Sequence, residues 1–486
     1  MSISAALGNA LSGLTASSRS GEVISANVAN AMNESYARRE IELASASLGG
    51  RGTGVAVVGV QRVVNMAAVA DRRLAEAENG DASLRAAFHA RAEQAVGDPS
   101  DPGSIPGRIT ALEASLVEAA ARPDSGTRLA SVVGAARSLA AELNAASAAV
   151  QAARTEADSG IARDVRTLNE TLASIDRLNT DITTYRAAGR DANGLFDRRQ
   201  KLVDSIAAIV PIREYPRANG QIALFTSGGA VLVDGRASAF GFSPTDPIVA
   251  EMSLAGGALS GLTLNGRPVD ARADGLLGGG RLSAAFAVRD EIAPAAQAEL
   301  DALARDLYDR FASSAVDPTL APGAPGLLTD AGAALDPLAE TGLSGRIAVN
   351  PAVDPARGGQ TWRVRDGIGA ATQGPVGDAA LLTALSGALS ARRPPASGSL
   401  TASSLTAGGL AAAVLSVSSR ARLDAEQEAT SAAFRATALS ELILADGVDS
   451  DAEMQKLLLV EQTYSANAQV MRTMDALLTE LMGILR

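Results

Sequence analysis

Four acidic residues crowd into eight positions near the C-terminal end: Asp446, Asp449, Asp451 and Glu453. Carboxylates at that density could hold calcium. A calcium loop also needs the EF-hand spacing and its central glycine, and this stretch lacks both. Negative charge at the start of a following helix explains them, through its favourable interaction with the helix dipole. Ser450 and Glu453 have the S-x-x-E spacing of a capping box. His89 is the only histidine, so a Ser-His-Asp triad would have to use it, and no G-x-S-x-G elbow accompanies it. Its helical, polar setting reads as a surface residue. One histidine and no cysteine leave a zinc site short of ligands. Gly50-Arg51-Gly52-Thr53-Gly54 is glycine-rich but lacks the spacing of a nucleotide-binding loop. Asp234, Asp246 and Glu251 are spaced carboxylates in the one region where an inserted hydrolase could lie, and no pair of them has a supporting context. The chain therefore reads as non-enzymatic, with no catalytic residue, cofactor or metal.

What remains is packing chemistry. From Met454 onward, Leu457, Val460, Tyr464, Asn467, Met471, Met474, Leu478, Leu481 and Leu485 recur in steps of three and four, a heptad seam. Val470, Leu477, Met482 and Ile484 flank it where a two-stranded coiled coil would carry charge. A helix apolar over more than half its girth is expected to be covered by several neighbours. Its natural partner is residues 1 to 32, a second helical stretch. Ile3, Leu7, Leu11, Leu14, Ile24 and Val28 mark one face there, with small residues between them. Asn27, Asn30 and Asn33 then suggest a helix end and a turn.

Composition agrees. The chain has 486 residues, 47% hydrophobic and only 3% aromatic, so its cores are built from Ala, Leu and Val. A net charge of -11 and isolated pairs such as Arg38-Arg39 and Arg198-Arg199 argue against nucleic-acid binding. No stretch reaches a membrane span, and no secretory signal is visible. Residues 39 to 64 read as a hairpin. Helices are expected over about 65–96, 106–121, 125–188, 194–209, 282–313 and 409–445. Short strands broken by turns fill 211–281, with Asn265-Gly266 as a hairpin signal, and Trp362-Arg363-Val364 reads as one more strand. The expected fold is mainly α with a β-rich insert, an elongated multi-helix bundle with paired N- and C-terminal coiled-coil helices. The expected domains are 1–35 with 450–486 as the terminal core, 36–210 with 282–449 as the helical bundle, and 211–281 as a small β-rich outer unit.

The two ends carry a resemblance. Leu11-Ser12-Gly13-Leu14-Thr15-Ala16, Ile24-Ser25-Ala26-Asn27-Val28-Ala29-Asn30 and Tyr36-Ala37-Arg38 resemble the N-terminal signature of bacterial flagellar axial proteins. Asp446-Gly447-Val448, Asp451-Ala452-Glu453-Met454 and Glu461-Gln462-Thr463-Tyr464-Ser465-Ala466-Asn467-Ala468 resemble the matching C-terminal one. Gly279 to Ala304 is similar to an internal helix of the hook-associated protein 1 (FlgK) family. One departure is Asn33-Glu34-Ser35, where the family has a Thr-Pro-Gly-like turn. The resemblance implies a structural adaptor of the hook–filament junction, exported unfolded by the flagellar type III apparatus without a cleaved signal. It implies partners too: other copies in a helical ring, hook protein, the third hook-associated protein, and an export chaperone on the C-terminal helix. Neither nucleic acid nor membrane is among them. Leu7, Leu11, Leu14, Asn27, Asn30 and Tyr36, with the seam residues named above, are the expected assembly interface. The third hook-associated protein or a flagellin-like subunit is the neighbouring reading; a secreted enzyme with axial-type ends is a more distant one.

Overall fold

The computed structural model describes residues 3–33, 36–48 and 51–484. Helix α1 (Ile3–Ala29) is followed by an antiparallel hairpin, β1 (Arg39–Leu48) and β2 (Arg51–Arg62). Helices α2 (Met66–Val96), α3 (Ile105–Ala121), α4 (Gly126–Ala187) and α5 (Asn193–Ser205) come next. Asn65, Ser104 and Ser125 cap the first three of these, each accepting from a backbone N–H three residues on.

Six short strands follow: β3 (Ile212–Pro216), β4 (Ile222–Thr226), β5 (Val231–Val233), β6 (Phe240–Gly241), β7 (Leu262–Leu264) and β8 (Arg267–Val269). They make two three-stranded sheets in the orders β3-β4-β5 and β6-β7-β8. Asn265 (φ 51°) and Gly266 (φ 77°) turn β7 into β8, the left-handed pair such a two-residue turn requires.

The chain then runs through α6 (Gly280–Ala287), a π-turn at Val288–Ile292, and α7 (Ala293–Phe311). The single helix expected over 282–313 is present as this contiguous run, helical throughout, with one π-turn inside it. Small elements follow: β9 (Leu328–Asp330), α8 (Leu343–Arg346), β10 (Ile347–Val349), α9 (Arg363–Asp366) and α10 (Ala380–Ser390). The strand expected at Trp362-Arg363-Val364 is instead the start of the helical turn α9. That turn buries Val364 and lets the Arg365 fork hold the Asp366 carboxylate at 2.6 Å. Two long helices, α11 (Ala407–Ala445) and α12 (Ser450–Ile484), complete the chain.

Helix α4 sets the layout. Its 62 residues span about 93 Å at 1.5 Å per residue. Its apolar stripe divides between two cores. Leu129, Leu139, Leu143 and Val150 pack with residues of α3, α7, α10 and the start of α11. Ile161, Leu168, Leu172 and Ile175 pack with the end of α5, the sheets and α6. Between the cores, buried Arg289 pairs with Asp158 at 2.6 Å, and buried Arg154 donates to the carbonyls of Val249 and Met252. Those bonds tie the strand-rich insert to the long helix.

Helices α2 and α11 pair along alanines. Ala68, Ala75 and Ala82 recur every seven residues on one, and Ala425 and Ala432 on the other, all buried. Arg422 with Glu93 and Arg435 with Glu78 fix the pair as antiparallel.

The terminal helix pair as candidate assembly site

Helices α1 and α12 pack together, as their patterns predict. Their direction follows from two contacts. Asn467 faces Gly13, where an added Cβ would fall 2.7 Å from the Asn467 amide nitrogen. Asn27 Nδ2 donates to Glu453 Oε2 at 2.9 Å. Position 13 beside 467 and 27 beside 453 make the pair antiparallel. Gly13 permits this close approach; a side chain there would make the Asn467 amide shift.

The hairpin lies against the same helix. Ser12 Oγ accepts from Val55 N at 3.1 Å. Gly54, at φ 101°, leaves the room Ser12 occupies.

At the inner end the pair is locked by a polar joint. Asn27 is fully buried and saturated. Its Nδ2 donates to Arg39 O and Glu453 Oε2, both at 2.9 Å. Its Oδ1 accepts from the Tyr36 hydroxyl at 2.8 Å and from Arg39 N at 3.0 Å. Glu453 is only 2% exposed, and Lys456 Nζ donates to its Oε1 at 2.8 Å. Arg39 stacks on Tyr36 and continues to Asp197 of α5 at 3.1 Å. Asp197 also holds Arg62 at the end of β2, at 2.8 Å. The joint thus connects both termini, the hairpin and the helical body. Burial raises the Tyr36 pKa above its ordinary value, partly opposed by Arg39, which keeps the hydroxyl a donor.

Glu453 does not close a capping box with Ser450. The cap is Asp449, whose Oδ1 accepts from Asp451 N and Ala452 N at 2.9 and 3.1 Å. That frees Glu453 to turn toward Asn27.

The predicted interface residues divide into inner and outer sets. Asn27 and Tyr36 meet in the joint, and Asn30 Nδ2 returns to Ala26 O at 2.9 Å. Leu7, Leu14, Leu457, Val460, Asn467, Met471 and Met474 are half-buried. Leu11, Tyr464, Leu478 and Leu481 are exposed, at 55%, 48%, 40% and 46%. Val470, Leu477, Met482 and Ile484 are exposed as well. Leu485, and the divergent turn at Glu34 and Ser35, lie outside the described residues. Within α12, Glu453 is the one buried side chain. The sequence reading placed Glu453 at a helix start and missed its contact with Asn27. It also missed Asp197 and Arg62, whose positions far apart in the chain gave no local signal.

Among the described residues, no cluster of acidic or histidine side chains is placed to hold a metal, and no helix is long and apolar enough to cross a membrane. Asp234 and Glu251 are taken up in ion pairs with Arg217 and Arg346.

Residues 90–315 match the sequence model of the flagellar hook-associated protein FlgK helical domain. The match covers just under half of the chain. The matched residues contain α3 to α7 and both three-stranded sheets, together with the internal motif at 279–304; the terminal motifs lie outside the match. The chain is also similar to flagellar hook-associated protein 1 of Bacillus subtilis (strain 168), at 23% identity over 220 residues, 43% of each protein. It is similar to the flagellar hook junction protein FlgK from Burkholderia pseudomallei, at 22% identity and a TM-score of 0.43, over 54% of this chain and 46% of that one. The similarity thus spans under half the length of either relative.

Proposed function

We propose that this protein is a structural adaptor of the bacterial flagellum, seated between hook and filament, and that its terminal helices are its assembly element. The observation that carries the reading is helix α12, whose apolar side chains stand exposed on a chain whose residues 90–315 match the FlgK helical-domain model. An apolar surface of that extent marks a binding face. Burying one such side chain against a neighbouring subunit contributes about 1.5 kcal/mol or more. The neighbours would be further copies in a ring, hook protein on one side and the third hook-associated protein on the other. Before assembly an export chaperone would cover α12, and the chain would leave the cell through the flagellar type III apparatus. The work is mechanical and non-catalytic. The terminal pair (1–35 with 450–486) acts as the joining unit, the bundle (36–210 with 282–449) as the body, and 211–281 as the outer unit.

The substitution Leu478→Asp tests this reading. It places a charge on the exposed side of the seam. The expected strain exports a folded body but builds hooks without filaments, with flagellin lost to the medium. Normal swimming of that strain would overturn the role given to α12.

A further inference from the structure

A second site lies where β2, α2, α5 and the first outer sheet converge, around a cavity of about 360 Å³. Four arginines line it, Arg62, Arg73, Arg199 and Arg217, together with the Phe196 ring and a single carboxylate, Glu214. Three of these arginines have acidic partners. Arg62 holds Asp197 at 2.8 Å, Arg217 holds Asp234 at 3.0 Å, and Arg73 holds Asp204 at 2.6 Å and Glu214 at 2.7 Å. Glu214 thus shares the Arg73 charge with Asp204.

Two donors are left over. Arg73 is 2% exposed, yet its Nη2 has no hydrogen-bond partner among the described residues. Arg199 is 7% exposed and pairs with no carboxylate among them. Its Nη1 donates to two neutral oxygens, Asn179 Oδ1 and Gly220 O, each at 2.8 Å. Burial lowers the Arg199 pKa to about 10, Glu214 pulls it back up, and Arg62 and Arg73 press it down further. A buried guanidinium without a counter-ion is costly, and its planar fork matches the two oxygens of a carboxylate or phosphate.

We propose that this cavity binds one oxyanion, a phosphate or a carboxylate, against Arg199 and Arg73. The anion supplies the direct ion pair that Arg199 does not make with Glu214 or any other described carboxylate. It comes free from the medium or as an acidic side chain of an adjoining chain. The Phe196 ring, with Arg199 and Arg62 5.2 and 5.8 Å from its centre, forms an apolar wall behind the anion. This site is independent of the α12 surface.

The test is thermal unfolding of the full chain, titrated with inorganic phosphate or N-acetyl-glutamate amide at constant ionic strength held by sodium chloride. A ligand that binds only the folded state raises Tm with saturation. The expected result is a saturating rise with at least one of the two anions. Arg199→Gln abolishes it, Arg217→Ala at the rim weakens the apparent affinity several-fold, and Arg137→Gln, an exposed position elsewhere on α4, leaves it unchanged. A response to phosphate assigns a free oxyanion, and a response to the glutamate compound alone assigns a side-chain carboxylate. If Arg199→Gln fails to fold, Arg199→Lys and Arg217→Ala decide the matter. No rise beyond that of chloride, or the same rise in the cavity variants as in the parent, overturns the proposal and leaves these donors to water.

Discussion

Helix α4 buries Leu139, Leu143, Ile161, Leu168, Leu172 and Ile175 completely, whereas α12 buries one side chain, the carboxylate Glu453. Both are long, both lack proline, and both carry regular apolar stripes. The difference lies in what the rest of the chain supplies. Helix α4 receives α3, α6, α7 and the sheets on its stripe, and its cores close within one molecule. Helix α12 receives α1, a helix of small residues that covers only the inner half of the seam. Hydrophobic periodicity states that a helix has a partner; it does not state that the partner belongs to the same chain.

The largest expected effect sharpens that contrast. Leu143→Ala in α4 is expected to destabilise the monomer by about 2–5 kcal/mol, the usual range for emptying a fully buried leucine site. Met471→Ala, on the half-buried seam, is expected to cost about 1 kcal/mol or less, because the site is already open to water. Denaturant unfolding of both variants measures the difference. Equal losses would erase the distinction between the regions.

The joint comes next. Glu453→Ala leaves Lys456 with only the longer contact to Glu40 at 3.9 Å, and Asn27 without one of its acceptors. A hydrogen bond to a charged group contributes about 1.5–3 kcal/mol, which sets the expected local loss. Amide exchange should rise in α1, β1 and the first turns of α12, with α4 unchanged. A cooperative loss across α4 would instead mean that the two regions fold as one unit.

A smaller effect concerns the body alone. Burial, with a minor contribution from Arg85, lowers the His89 pKa below its ordinary 6.5. The neutral imidazole is therefore favoured by folding. Its contribution is fully present above the unfolded value and is lost as pH falls through the folded one. As the sole histidine, its NMR titration is directly assignable. A midpoint above 6.5 would reverse the sign. The smallest effect on the monomer is that of Leu478→Asp, expected within about 0.5 kcal/mol because the position is exposed. Its consequence is for assembly.

Much of this was legible along the chain. The start of α4 followed from Arg122-Pro123, a break, and Ser125, a cap. The Asn265-Gly266 turn announced its hairpin. The heptad seam and the small-residue helix named each other as partners, and the end motifs pointed to the family that the helical domain matches. Other features were hidden for physical reasons. Asp449 and Ser450 are both good caps one residue apart, so the spacing to Glu453 could not reveal that Glu453 turns inward. The α2–α11 pair is held by alanines, whose weak hydrophobic signal conceals a close-packed seam. The arginine cavity draws on positions 62, 73, 199 and 217, which only the fold brings together. Trp362-Arg363-Val364 has strand-like residues, yet burial of Val364 and the Arg365–Asp366 pair favour a helical turn.

Hydrogen exchange on the dilute monomer and on the protein in the proposed assembly addresses the central claim most directly. In the monomer, amides of α4 should be protected to the level of global unfolding, while those of α12 beyond Tyr464 and of α1 before Gly13 exchange rapidly; on assembly the terminal amides should become protected. Strong protection of α12 in the dilute monomer, or its continued rapid exchange in the proposed assembly, would contradict the account.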